Sequence, residues 1–197
     1  MLWRSLGTLG FSAEPVIRLP DRVGPLNPSY FRVELPMTEA KERLARWLGI
    51  PCLDNLIATD SVSAVRLACT SAGTWRGKAL FLYERDGWSV FDDLAGYFSS
   101  IPGRSWLEFA KSDQFVFAGY NDAICSGELI VIAGGIVQRE FAQDRDNPSA
   151  NIDVGSLPSE ETHPMRSWLD VASFVDMDSL VGADEGHLWV SESPGAR

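Results

Sequence analysis

The stretch that most restricts what this chain can become is residues 79–142, where apolar runs alternate with tight-turn signals. Ala79–Tyr83 and Trp88–Phe91 flank Asp86-Gly87, a dipeptide that supplies the positive φ angles of a two-residue hairpin. Phe115–Tyr120 and Glu128–Ile132 are two further runs, and Gly134-Gly135 turns the second into Ile136–Phe141. Adjacent antiparallel strands of this kind make a meander, and a meander needs cover on at least one face. Residues 92–112, between the two groups, read as two short helices broken at Ile101–Gly103, with Ser105 capping the second.

The cover comes from the flanks. Thr38 reads as the N-cap of a helix in which Leu44, Trp47 and Leu48 share a face, stopped by Gly49 and Pro51. Met165–Val175 reads as a final helix carrying Trp168, Val171, Ala172 and Val175 on one side. Val65, Leu67 and Cys69 alternate with Arg66, Ala68 and Thr70, which predicts a strand over Ala64–Thr70; Gly186–Val190 predicts a short last strand. Five prolines between residues 15 and 36 exclude a continuous helix there and leave room for strands at Val16–Leu19 and Tyr30–Leu35. Gln143–Glu161 is polar and reads as a long loop. The expectation is an α+β single domain, a mainly antiparallel sheet with three to four helices packed on it. Its parts are a Pro-rich extended segment over 1–36, a core over 37–190 and a frayed tail over 191–197.

Charge narrows the function. The formal net charge is −10, and it is uneven. Residues 140–192 hold twelve acids against Arg145 and Arg166, whereas residues 1–139 hold fifteen acids against fourteen bases. Such a C-terminal quarter repels nucleic acid and anionic lipid, and it draws a basic partner. No segment approaches the length of a transmembrane helix and the N-terminus lacks a signal-peptide apolar region, so cytoplasm is the expected location. Cys52, Cys69 and Cys125 are odd in number and widely spaced, which fits free thiols better than a disulfide framework or a zinc site.

Catalytic motifs are missing. His163 and His187 sit in no metal spacing, and there is no G-x-S-x-G, P-loop or G-x-G-x-x-G. The expectation is no catalytic residue, no cofactor and no metal. Asp144, Asp146, Asn147, Asn151 and Asp153 offer oxygen ligands, but the sixth and twelfth positions of a calcium loop are Ser149 and Gly155, and Asx turns explain the cluster. Tyr120-Asn121-Asp122 reads either as a turn or as a presented aromatic–acid patch, and Asp92-Asp93 poses the same pair of readings.

In GWSVFDDL (87–94), FAGYNDAI (117–124), GELIVIAGGIVQREF (127–141) and SWLDVASFVDMDSL (167–180), the chain resembles small acidic immunity proteins of bacterial polymorphic-toxin and type VI secretion pairs. The resemblance covers roughly residues 78–180 and lies in the order and style of segments. It implies a cytoplasmic protein that binds a cognate toxin with a basic surface, such as a nuclease, and occludes its active site. The expected contacts are Tyr120, Asp122, Asp144, Asp146, Asp153, Glu160 and Glu161, with no nucleic acid or membrane as partner. Two readings compete: a small enzyme assembled from scattered acids with Cys69 or Cys125 and a histidine, and an adaptor or chaperone for a secreted effector.

Overall fold

The computed structural model describes residues 28–179 and 185–192. Among them, nine strands form one antiparallel sheet covered by four helices. In chain order these are β1 (Ser29–Val33), α1 (Met37–Leu48), β2 (Ile57–Thr59), α2 (Ser61–Ala68), β3 (Gly77–Arg85) and β4 (Trp88–Asp93). Then follow α3 (Gly103–Ala110), β5 (Phe115–Asn121), β6 (Ser126–Ala133), β7 (Ile136–Asp144), β8 (Ile152–Gly155), α4 (Trp168–Ser179) and β9 (Gly186–Glu192).

The strand order is β2-β9-β3-β4-β1-β5-β6-β7-β8. Both expected hairpins form, with Asp86 and Gly87 at φ 51° and 82° and Gly134 and Gly135 at 61° and 77°. The sheet is not a plain meander, however. β1 lies between β4 and β5 and joins the two hairpin groups, and β9 lies between β2 and β3. β1 belongs to the sheet's centre although it falls within the Pro-rich segment: Tyr30, Phe31 and Val33 are buried, and both sides of the strand are paired. The strand expected at Val16–Leu19 and residues 193–197 of the expected tail lie outside the described residues.

Alternation along the strands sorts side chains to two faces. One face carries Phe31, Leu80, Leu82, Phe91, Phe115 and Phe117 beneath α1 and α3. Trp106 of α3 is fully buried there, with ring centroids 4.8 Å from those of Trp47 and Phe115 and 5.1 Å from that of Phe31. The other face is covered in two places. α4 lays Val171 and Val175 on Val116, Ala118, Leu129 and Phe141, while α2 lays Ala64 and Ala68 on Ala79, Phe81 and Leu188. Gly127 permits α4 to come this close, since a Cβ there would stand 3.0 Å from Val171 Cβ.

Several local expectations are corrected. The strand read over Ala64–Thr70 is the helix α2: Asp60 caps it by accepting the Ser63 N–H at 2.9 Å, and Ala64 and Ala68 share a buried stripe one turn apart. Thr38 lies inside α1 and does not cap it, because the helix begins after Pro36 and the Met37 N–H donates to Glu84 Oε1 at 2.8 Å. Only the second of the two helices expected in 92–112 forms. The first is a run of turns held by buried Asp93, which accepts the Phe98 N–H at 2.7 Å. Ser105 does not cap α3; Glu140, reaching from β7, accepts the Gly103 N–H at 2.8 Å in its place. The long polar loop over 143–161 contains β8 and two 3-10 turns, Pro148–Ala150 and Pro158–Glu161.

Candidate functional site

The pairing Asn121↔Ser126↔Asp144 puts the ends of β5, β6 and β7 in one row. The β5–β6 turn and the loop after β7 therefore stand side by side, and Arg145 Nη1 reaches Cys125 Sγ at 3.8 Å across them. Short polar side chains fix both loops from within. Asn121 Oδ1 accepts the Ala123 N–H at 3.0 Å, and Asp144 Oδ1 accepts those of Asp146 and Asn147 at 2.8 and 3.1 Å. Asn151 Oδ1 accepts the Asp144 N–H at 2.8 Å. These are the Asx turns expected of the cluster, and its acceptors face backbone N–H groups. No group of three or more His, Cys, Asp or Glu among the described residues is arranged to hold a metal ion.

The loop after β4 reaches the same end of the sheet, because β4, β1, β5 and β6 are in continuous register. The Ser100 N–H donates to Glu128 Oε2 at 2.8 Å, tying that loop to β6. Burial raises the Glu128 carboxyl above the ordinary carboxylate range, against the Ser100 hydrogen bonds and with the charge of Asp144 adding to the rise. Tyr97 projects from the loop 49% exposed, with Lys78 Nζ 3.7 Å above its ring. Ile124 projects from the β5–β6 turn 43% exposed. The surface thus combines the exposed acids Asp122 and Asp146, half-buried Asp144, the cations Arg145 and Lys78, and the exposed Ile124 and Tyr97, on loops braced by their own side chains.

The seven sequence-derived contacts divide into two groups. Asp122, Asp144 and Asp146 come together at this end, and Tyr120 sits at its inner margin, half-buried with its ring centroid 6.5 Å from that of Trp168. Asp153 and Glu160 converge elsewhere, on Arg139. That arginine is 1% exposed, and it donates to Asp153 Oδ1 at 2.6 Å, to the Val154 carbonyl at 3.2 Å and to Glu160 Oε1 at 2.8 Å. Its guanidinium carbon lies 5.3 Å from the Phe141 ring centroid. Both carboxylates are thereby engaged in holding β8 and the following turn to β7, while Glu161 beside them is exposed. A Cβ on Gly155, at φ 73°, would fall 2.1 Å from the Gln138 carbonyl oxygen, so only glycine closes this strand.

Arg139, Glu128, Tyr97 and Ile124 escaped the sequence reading. For Arg139 the signal was present: it is two residues from Phe141 in a strand, hence on the same inward face.

Among the described residues, the histidines and cysteines lie on different elements. His163 is exposed and shares a hydrogen bond with Thr162 at 2.9 Å. His187 borders an open groove of about 540 Å³ with Met37, Thr59, Glu84 and Glu185, where Glu84 is already bonded to the Met37 N–H. Cys69 follows α2 and Cys125 lies in the β5–β6 turn. No helix among the described residues is long and apolar enough to cross a membrane. Comparison with family models, with curated proteins and with solved structures finds no match to this chain.

Proposed function

We propose that this protein is an immunity protein, a stoichiometric inhibitor that binds a cognate bacterial toxin through the acidic end of its sheet and covers the toxin's active site. The observation that carries the reading is the register-enforced adjacency of two loops, each braced by its own Asn or Asp side chains, that bear Asp122, Asp144 and Asp146 beside exposed Ile124. Loops already held by their own Asn and Asp side chains lose little freedom on binding, so more of the contact energy appears as affinity. The acids favour a basic partner and accelerate its capture, whereas Ile124 and Tyr97 offer apolar area that slows release. A nuclease, basic where it grips phosphate, is the toxin class this charge fits best. Such an inhibitor acts in the cytoplasm, where the toxin's substrate is.

The test is capture from a native bacterium with the protein as bait, at low and high salt, followed by mass spectrometry and an activity assay. One secreted toxin recovered in roughly equal amount, with its activity abolished by the bait, is the expected result. Recovery of no partner overturns the reading. A captured effector that keeps its toxic activity overturns inhibition in favour of the adaptor reading.

A further inference from the structure

Among the described strands β8 ends the sheet, and its four residues pair with Arg139–Ala142 of β7 on one side only. The other side of such a strand presents backbone N–H and C=O groups to solvent. Asp153, Val154 and Gly155 are all exposed, and Val154 reaches 61%. β7 continues past the last residue of β8, leaving Ile136 59% exposed beyond the step. Proline and lysine, which commonly blunt an edge, are absent from Ile-Asp-Val-Gly, although its four-residue length and the charge of Asp153 limit indiscriminate pairing. The Arg139 clamp holds the Asp153 carboxylate and the Val154 carbonyl and so fixes β8 in place against β7. At the opposite edge β2 is a residue shorter and runs through the Asp60 cap straight into α2, so it offers fewer open groups.

Charge selects the occupant. Residues 139–162 carry six acids against Arg139 and Arg145, a net −4. A second copy pairing edge to edge would set two such margins against each other, whereas a basic strand meets opposite charge.

We propose that β8 is an acceptor edge, to which the partner adds an extended segment alternating Lys or Arg with aliphatic residues as a further antiparallel strand. The inference rests on the partner-binding reading above and supplies its mode of contact. Backbone hydrogen bonds to β8 give register, Val154 receives aliphatic side chains, and the exposed acids Asp146 and Glu161 on the flanking turns receive basic ones.

The probe is a blocked peptide alternating Lys and Val, with a Glu/Val peptide of the same pattern as charge control. Amide hydrogen exchange is followed on the full chain. Saturating Lys/Val peptide is expected to slow exchange over residues 152–155 by about tenfold or more, and the Glu/Val peptide leaves it unchanged. Val154→Lys abolishes the response and Ile57→Lys, on the opposite edge, preserves it. Both side chains are exposed, so the denaturation midpoints of the two variants stay at the wild-type value. No slowing with the Lys/Val peptide, equal slowing with the Glu/Val peptide, or a response that Ile57→Lys removes and Val154→Lys preserves overturns the proposal. A toxin captured and inhibited while residues 152–155 exchange freely overturns strand addition and leaves the inhibitor reading standing. A peptide response with no captured partner does the reverse.

Discussion

The face under α1 and α3 and the margin formed by β7 and β8 belong to the same sheet but are held together differently. Under the helices, rings of Phe31, Phe91, Trp106, Phe115 and Phe117 lie within contact of one another, and none has measurable exposure. That attraction is non-directional and grows with area, so many apolar residues would serve. At the margin one buried guanidinium holds two carboxylates and a carbonyl. It is directional, and its loss strands the partners it leaves behind. The ring-filled face makes the domain stable, and the margin places an exposed acidic strand in a defined position.

Mutations that separate the two regions sharpen this contrast. Trp106→Ala is expected to have the largest effect, a loss of about 4 kcal/mol in urea denaturation, because it empties the centre of the ring cluster. Trp106 Nε1 finds no acceptor among the described residues, so Trp106→Phe, which removes that donor along with part of the ring, costs well under half as much. Arg139→Met comes next, at about 2–3 kcal/mol, since Glu160 is then left 12% exposed without its cation. Adding Glu160→Leu recovers part of that loss, because it removes the unpaired carboxylate but also the acceptor of the Leu157 N–H. Hydrogen exchange distinguishes the regions further: Trp106→Ala accelerates exchange across the sheet, whereas Arg139→Met accelerates it first in β8. Global acceleration in both variants would break the comparison.

A smaller effect is set by pH. Burial raises the carboxyls of Asp93 and Glu128, against the N–H groups of Phe98 and Ser100 respectively. Each folded-state pKa lies above its unfolded value, so the folded state holds the proton more tightly. The associated stability is fully present below the ordinary carboxylate range and is lost as pH rises through the raised values. Glu128→Gln removes one of these titrations. Its stability relative to wild type should therefore climb as pH rises through that window, as read from paired denaturation curves; a constant difference would contradict the assignment.

Hairpins were the most legible part of the fold, because Asp86-Gly87 and Gly134-Gly135 state their turn geometry in the residues themselves. Placement of β1 and β9 was hidden, since a strand inserted between distant partners carries no local sign of them. Alternating Val65, Leu67 and Cys69 competes with the helical spacing of Ala64 and Ala68, and the Asp60 cap decides between them in favour of the helix. β8 was concealed by polarity, as an edge strand with Asp153 facing solvent has no apolar rhythm to read. Asp144 and its neighbours were legible as turn-formers. The pairing of Asp153 and Glu160 on Arg139 was not, because it joins residues up to 21 positions apart.

The central claim is that the exposed acids of the sheet's acidic end and of the neighbouring β8 margin recruit a basic partner without contributing to the fold. Its most direct test is the rate of association between the captured toxin and the variant Asp122→Asn, Asp146→Asn, Glu161→Gln, measured across a range of salt. The account predicts an unchanged denaturation midpoint, slower association at low salt and a flatter salt dependence than wild type. Association as fast and as salt-sensitive as that of the wild-type protein would contradict it.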